Sequence, residues 1–322
     1  MKRSNAKTPT FGDERGGPIP PPDLSDWKFA KHPPLRGQVA VVAGGTRGAG
    51  RAIAVALGVA GATVYVTGRS VPGRPATPGR PETILGTVGM IRDLGGKATP
   101  VRVDHTDESQ VRSLFQRVRR EQRGRLDILV NDIWGGEELV EWGKPPWELS
   151  WAKGRTMLER GIHTHILTSR YGVPLMVRRK RGLVVEITDG DHLQYRGSLF
   201  YDLVKTSVIR LALALDEEFD EAHLPNLTAI AVTPGFLRSE FMLDQFGVSE
   251  AHWREGGKGH RHWKASESPY YLGKAVAALA ADPKVHRRSG KAVGTWDLAR
   301  AYRFTDLDGT QPDWGKVFSE EP

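Results

Sequence analysis

Short apolar runs alternate with longer amphipathic stretches from about residue 37 to residue 300, and this alternation constrains the fold more than any other feature. The runs are rich in Val, Ile and Ala, as in QVAVVAG at 38–44, which is typical of strands buried on both faces of a parallel sheet. Because helices separate the strands, the sequence predicts an α/β fold, a doubly wound parallel sheet in three αβα layers. We expect strands at 38–44, 62–68, 97–104, 126–132, 182–188, 226–235 and near 291–295, and helices at 51–61, 82–94, 111–122, 153–179, 199–221 and 270–281.

Composition excludes several classes of protein. The chain has 322 residues, 39% of them hydrophobic and 26% charged, as in soluble globular proteins. It has no cysteine, which excludes disulfides, thiolate metal sites and a cysteine nucleophile and is consistent with the reducing cytoplasm. No run reaches the roughly 18 apolar residues of a membrane span, and the first residues lack the apolar core of a signal peptide. We therefore predict a cytoplasmic protein that does not associate with membranes.

Excess positive charge raises the question of a nucleic-acid partner. Lys and Arg total 46 and Asp and Glu 38, so the formal net charge is 46 − 38 = +8. The densest basic run, RRKR at 178–181, precedes a predicted strand and so lies at the end of a helix, where cations meet the negative end of the helix dipole. No recognition motif or aromatic stacking pattern accompanies the charge, so we expect no nucleic-acid partner.

Domain organisation follows from a change in composition near residue 37. Residues 1–36 are rich in Pro and Gly and predict an N-terminal arm without helix or strand, either disordered or wrapped over the body. Trp27 and Phe29 are candidates to anchor its end to the body or to a partner subunit. Residues 37–322 then form one domain, with a substrate-loop region at about 236–269.

A glycine-rich turn joins the first strand to the first helix. The sequence AGGTRGAG at 43–50 places glycines where the backbone can turn tightly and approach a pyrophosphate at the helix N-terminus. A purely structural turn is the alternative, but the strand–turn–helix context favours a Rossmann-like dinucleotide site. The candidate cofactor-binding residues of the turn are Gly44, Thr46, Arg47, Gly48 and Gly50.

The spacing Gly-x-x-x-Gly-x-Gly resembles that of the short-chain dehydrogenase/reductase family. Four further segments resemble it in order, namely Asp104 at the end of the third strand, Asn131 in LVND, Tyr201-x-x-x-Lys205, and Pro234-Gly235 followed by Ser239. GRLDILVND, HLQY and SGKAVGTWDLARAY are most similar to the subgroup of dehydrogenase/reductase SDR family member one. The resemblance implies that Asp104 binds adenine, that Pro234, Gly235 and Ser239 hold the nicotinamide carboxamide, that Asn131 and Lys205 also contact the cofactor, and that the protein is a homodimer or homotetramer.

Tyr201 and Lys205 are four residues apart and therefore share one face of a helix. A nearby ammonium favours the phenolate, which lowers the tyrosine pKa and makes the phenol a usable proton donor or acceptor. A chance pair on an amphipathic helix is the alternative, and the glycine-rich turn upstream favours catalysis.

Arg69 predicts the choice of cofactor. NAD-preferring sites have an acidic residue at the end of the second strand, whereas here Thr67-Gly68 is followed by a guanidinium suited to a 2′-phosphate. Arg47 adds a second cation. The predicted cofactor is NADP(H), with two ordinary surface arginines as the alternative.

Two positions depart from the family pattern. The family's catalytic Ser lies 12 or 13 residues before the Tyr, where this chain has Asp189 and Thr188. Either Thr188 supplies the hydroxyl or Asp189 replaces it in another role. The Asn that relatives carry in the long helix after the fourth strand maps onto Gly161.

Aromatic residues mark the predicted substrate region. Ligands of such folds bind beyond the carboxyl ends of the strands, and the candidate substrate residues there are Trp134, His192, Tyr195 and Trp253. The aromatic residues form either a wall and lid for a flat carbonyl compound or a cover for the arm or an oligomer interface. A metal site at His252, His260 and His262 is not expected, because no carboxylate pair lies nearby.

These patterns predict an NADP(H)-dependent oxidoreductase that interconverts a small-molecule carbonyl and an alcohol by hydride transfer. Tyr201 would supply the proton, and Lys205 would bind the nicotinamide ribose and tune Tyr201. The alternative is an NADP-binding protein with little or no turnover that acts as a sensor or scaffold, which the departures at Asp189 and Gly161 favour.

Overall fold

A parallel sheet of seven strands forms the centre of the molecule in the computed structural model, which describes residues 22–319. The strand order is β3-β2-β1-β4-β5-β6-β7. The strands are β1 (Val39–Ala43), β2 (Thr63–Gly68), β3 (Lys97–Arg102), β4 (Ile128–Asn131), β5 (Gly182–Ile187), β6 (Leu227–Thr233) and β7 (Ala292–Gly294). The predicted doubly wound fold and single domain are confirmed.

Helices cover both faces of the sheet. They are α1 (Lys28–Lys31), α2 (Gly48–Val59), α3 (Ile84–Asp93), α4 (Glu108–Glu121), α5 (Trp151–Leu158), α6 (Thr164–Val177), α7 (Leu199–Glu221), α8 (Glu240–Gln245), α9 (Arg261–Lys264), α10 (Pro269–Ala281), α11 (Thr295–Tyr302) and α12 (Trp314–Ser319). A π-helical turn, Glu159–His163, joins α5 to α6, so the helix predicted at 153–179 is interrupted. None of the helices in residues 22–319 is long and apolar enough to cross a bilayer.

Two apolar layers, one on each face of the sheet, hold it between the helices. On one face α2 packs closely against α10, where a Cβ on Gly273 would lie 2.6 Å from the carbonyl oxygen of Ala52. On the other face Leu114 and Phe115 of α4 and Met176 of α6 pack against the strands. The strands are buried on both faces, which explains their continuous apolar runs.

The strand order reverses between β1 and β4, and this switch point positions the site. Ala43 at the end of β1 is in register with Thr67 of β2 on one side and Asn131 of β4 on the other. The connections after these strands run to opposite sides, which opens a crevice at the carboxyl ends of the strands.

The N-terminal arm differs from the prediction in part. Residues 22–36 contain the short helix α1, contrary to the expected absence of helix, and Leu24, Trp27 and Leu35 are buried in the core. A four-residue helix forms here because its neighbours pack against the body and compensate for its short length. Residues 1–21 of the predicted arm lie outside the described part of the chain.

Candidate active site

The glycine-rich turn between β1 and α2 brings the backbone against the end of β4. A Cβ on Gly44, whose φ is +95°, would lie 2.3 Å from the carbonyl oxygen of Asp132, and a Cβ on Gly50 would lie 2.5 Å from that of Gly44. Only glycine fits such contacts without displacing the backbone. Helix α2 begins at Gly48, three residues before its predicted start, so its N-terminal N–H groups face the crevice.

Glu240 of α8 closes one side of this turn. Its Oε2 accepts a hydrogen bond of 2.8 Å from the N–H of Gly48, and its Oε1 lies 3.2 Å from Nη1 of Arg51. A carboxylate is therefore already stabilised at the positive end of α2, the position that suits an anion.

Three arginines gather near the end of β2. Arg69 Nη1 lies 3.9 Å from Oδ2 of Asp104, and burial lowers the pKa of Arg69, as do the nearby charges of Arg160 and Arg47. Arg160 donates to the carbonyl oxygen of Gly135 at 2.9 Å, and Arg47 donates to Thr77 at 3.3 Å. A single carboxylate, Asp104, faces this concentration of positive charge, so the region attracts an anion.

Tyr201 and Lys205 lie on α7 and both reach the crevice. The Lys205 Nζ lies 4.5 Å from the centre of the Trp134 ring and 5.6 Å from that of Tyr201. Burial lowers the pKa of Lys205, although Asp189 and Asp132 oppose this shift. The helical spacing therefore brings the two side chains together as predicted.

Asp189 and Thr188, at the end of β5, have different partners. Asp189 Oδ2 accepts a hydrogen bond of 2.8 Å from the Tyr201 hydroxyl, while the Thr188 hydroxyl donates to the backbone carbonyl of Lys205 at 2.7 Å. The pKa of Tyr201 is raised well above its ordinary value by burial and the Asp189 carboxylate, with Arg196 opposing them, so the predicted lowering by Lys205 is wrong for this site. Asp189, rather than Thr188, contacts the phenol.

The turn after β6 lies across the crevice. The N–H of Gly235 donates to Glu267 at 2.9 Å, and the Ser239 hydroxyl caps α8 by accepting from Met242 at 3.4 Å. Glu267 also accepts from Thr295 at 2.6 Å, and burial raises its pKa to about 8. Pro234, Gly235 and Ser239 therefore line the crevice together, held from behind by Glu267.

These elements enclose one cavity of about 910 Å³. The sequence-predicted residues that line it are Gly44, Thr46, Arg47, Gly48, Arg69, Asp104, Trp134, Thr188, Asp189, Tyr195, Tyr201, Lys205, Pro234, Gly235 and Ser239. Gly50 does not line the cavity, although its neighbour Ala49 does. Gly50 packs closely against the backbone of Gly44 and so supports the turn.

The profile of the short chain dehydrogenase family matches residues 38–246. The chain belongs to this family. It is 36% identical over 280 residues to Dehydrogenase/reductase SDR family member 1 of Mus musculus, which covers 86% of this chain and 85% of that protein. The Homo sapiens protein of the same name is 35% identical over 279 residues, with 86% and 85% covered. A solved short chain dehydrogenase from Mycobacterium thermoresistibile has a TM-score of 0.71 at 22% identity, over 87% of this chain and 92% of that one, and so shares the fold.

Membership confirms the resemblance that the motifs predict. It makes the protein an oxidoreductase of the dehydrogenase/reductase type, in a family that uses nicotinamide cofactors. Gly161, where the family pattern has Asn, lies in the π-helical turn, and a Cβ there would come within 2.4 Å of Val204 and 3.0 Å of the Trp134 ring. Trp134 thus fills the space that a side chain at 161 would need.

Besides Gly50, three predicted site residues lie outside the cavity. Asn131 is fully buried behind it and donates to Glu186 at 2.8 Å and Ser169 at 3.0 Å, because its strand position turns the side chain into the molecule. His192 is exposed and pairs with Asp191 and Gln194. Trp253 lies against Arg238, with 4.1 Å from the guanidinium carbon to the ring centre, and supports the loop after β6 instead of lining the cavity.

Sequence reasoning also missed residues that line the cavity, among them Asp132, Arg196, Glu240, Trp314 and Phe318. Asp132 directly follows Asn131, and burial raises its pKa to about 7. The position of Asp132 at the end of β4 was a usable signal. No local pattern indicates the others, because loops and helices far apart in sequence bring them to the site.

Proposed function

We propose that the protein is an NADP(H)-dependent oxidoreductase that interconverts a carbonyl and an alcohol by hydride transfer. One observation carries the proposal: the Tyr201 hydroxyl and the Lys205 ammonium reach the same cavity as the glycine-rich turn and Arg69. A proton donor, a cation and a dinucleotide cradle thus share one space.

The residues present fit a dinucleotide. Gly44 and Gly50 leave room for backbone contacts that any Cβ would fill, and the N-terminus of α2 suits a pyrophosphate. Arg69 and Arg47 would hold the 2′-phosphate of the adenine ribose, and Asp104 the adenine. Glu240 would have to release the N–H of Gly48 for a phosphate oxygen to accept that hydrogen bond.

Lys205 and Tyr201 would act at the nicotinamide end. A bound reduced nicotinamide supplies the hydride that adds to the carbonyl carbon. Tyr201 donates its proton to the carbonyl oxygen, and Lys205 would hold the nicotinamide ribose and offset the negative charge that remains on the phenol. The raised pKa makes the phenol a weaker acid than an ordinary tyrosine, so the positive charge of Lys205 would have to assist its proton transfer.

Asp189 distinguishes this site from the family pattern, which has a catalytic Ser near this position. An ionised carboxylate cannot donate a hydrogen bond to the substrate oxygen, and it opposes negative charge that develops there. We infer that Asp189 shapes the substrate, accepting a hydrogen bond from a substrate hydroxyl while Tyr201 contacts the carbonyl oxygen.

The same contact supports a second candidate function. Asp189 accepts a hydrogen bond from the Tyr201 hydroxyl and raises the pKa of Tyr201, both of which oppose proton transfer to a substrate. The alternative function is therefore an NADP-binding sensor or scaffold with little turnover.

The proposal also places the protein in the cytoplasm as a homodimer or homotetramer. The exposed Trp147 and Trp151 support an interface, since large exposed apolar side chains are common there.

A carbonyl panel tests the proposal. Ketones and aldehydes are mixed with the protein and NADPH or NADH, and loss of the reduced-nicotinamide absorbance is followed. We expect oxidation with at least one carbonyl and a preference for NADPH. Tight NADPH binding without oxidation across the panel would favour the sensor.

A further inference from the structure

Arg196, in the loop between β5 and α7, places an uncompensated guanidinium at the cavity. Within residues 22–319 its Nε and Nη2 atoms are buried without a hydrogen-bond partner, and no carboxylate forms an ion pair with it. The third guanidinium nitrogen, Nη1, is not among these enclosed atoms. Arg196 lines the same cavity as Tyr201. A buried charged donor without an acceptor costs free energy, so this group is suited to an anionic ligand.

Packing holds the Arg196 side chain in place. Its guanidinium carbon lies 4.9 Å from the centre of the Phe318 ring and 5.7 Å from that of Trp314, and these two rings stack at 4.5 Å. A Cβ on Gly190, whose φ is +93°, would lie 1.8 Å from Nη2, so the glycine leaves room for the guanidinium in its present position. The N–H of Arg196 donates to Asp202 at 2.9 Å, which fixes the loop to the first turn of α7. The group is therefore preorganised.

Arg196 also acts on the proposed proton donor. Its charge lowers the pKa of Tyr201 against the effects of burial and Asp189, so it lies within electrostatic reach of the phenol. A ligand anion bound at Arg196 would therefore sit in the part of the cavity that holds Tyr201. The faces of Trp314 and Phe318 beside it suit a flat ring.

We propose that Arg196 binds a carboxylate of the substrate, and that the substrates are flat or aromatic carbonyl compounds that carry a carboxylate. The Nη1 atom of the guanidinium can donate a charge-assisted hydrogen bond to a carboxylate oxygen. This inference deepens the proposed function and rests on it. In the reduction the carbonyl carbon gains a hydride from the reduced nicotinamide and the oxygen gains the Tyr201 proton, giving a hydroxy acid and the oxidised cofactor. The carboxylate itself does not react.

Calorimetric titration tests the anion site without turnover. Benzoate and its neutral analogue benzamide are titrated into the full chain at pH 7.5, with and without NADP⁺. We expect benzoate to bind more tightly than benzamide, and R196Q to lower this affinity ratio roughly ten- to a hundredfold. R155Q removes the same charge from the exposed surface of α5 and is expected to leave the ratio unchanged. A ratio near one in the wild type, or an unchanged ratio in R196Q, would overturn the proposal.

A matched pair of substrates then tests the substrate class. 4-Acetylbenzoate and its methyl ester are compared with NADPH, and we expect kcat/KM to favour the acid. R196Q should lower the acid-to-ester ratio roughly ten- to a hundredfold, and R196K should restore part of it, because an ammonium keeps the positive charge that Nη1 presents to the cavity. Circular dichroism and NADPH affinity show whether each variant is folded. An equal ratio in wild type and R196Q overturns the proposal. If neither compound is reduced, the proposed function fails for this pair while the benzoate titration still decides the anion site.

Discussion

The two halves of the cavity are built in different ways. The half at the ends of β1, β2 and β3 consists largely of backbone, and Asp104, 3.9 Å from Arg69, offsets part of the positive charge of its three arginines. The half after β5 and β6 consists of aromatic rings, and its Arg196 has no counter-ion among the described residues. Both halves thus carry cations that a ligand anion would balance, but backbone shapes the first half and aromatic side chains shape the second. We expect the first half to bind the cofactor and the second to select the substrate.

Tyr201→Phe gives the largest expected effect and separates the halves. It should leave NADPH affinity within a few-fold of wild type, because the ring remains, and should lower turnover by about 10²–10⁴ through loss of the proton donor. Calorimetry and steady-state kinetics measure the two quantities. Near-normal turnover would show that another group donates the proton.

Arg69→Ala should affect the cofactor half alone. Loss of the charge-assisted contact is expected to weaken NADPH binding roughly ten- to a hundredfold and to leave NADH binding nearly unchanged. Arg155→Ala, on the exposed surface of α5, is the matched control. Equal affinity of the wild type for NADPH and NADH would remove the argument for NADP(H).

Asp189→Ser should affect the substrate half alone. Removing the carboxylate lowers the pKa of Tyr201, since Asp189 raises it, so the alkaline limit of reduction should move to lower pH. Activity towards simple ketones should rise, and binding of hydroxyl-bearing substrates should weaken. Asp191→Asn removes a neighbouring carboxylate outside the cavity and serves as the control. A uniform collapse of activity would make Asp189 a catalytic group instead.

Asp132→Asn, between the halves, should give the smallest effect. Burial raises the pKa of Asp132 to about 7 from 3.8, so its neutral form stabilises the fold below about pH 4, and this stability is lost as pH rises through about 7. Asparagine does not ionise, so the variant without cofactor should melt roughly 2–4 °C above wild type at pH 8 and at the same temperature at pH 4. Scanning calorimetry at both pH values measures this. Asp93→Asn, at an exposed position, should show no difference, and an identical shift at both pH values would contradict the argument.

The sequence predicted the sheet and the cofactor half because both depend on local pattern. Buried strands appear as continuous apolar runs, and the turn at 43–50 needs glycine wherever a Cβ would meet backbone. Strand bounds therefore agree within about two residues for most of the sheet. The helix interrupted at Glu159–His163 was not predicted, because the π-helical turn leaves no signature in composition.

The substrate half was predicted less well because it depends on long-range packing. Trp134 and Tyr195 follow strands of the switch region and line the cavity as expected, whereas His192 turns outward to Asp191. Trp314 and Phe318 belong to α12, more than a hundred residues from the loop of Arg196 that they cover. Spacing along the chain carries no information about such contacts.

Deuterium transfer tests the central claim most directly. The protein is incubated with a carbonyl compound and NADPH that carries two deuterium atoms at C4 of the nicotinamide, so that either face transfers label, and the product alcohol is analysed by mass spectrometry. Hydride transfer at this site predicts that the wild type gives an alcohol with one deuterium on the carbinol carbon. Tyr201→Phe should give at least about 10²-fold less of this product than the wild type. Product without deuterium, or equal labelled product from both proteins, would contradict the account.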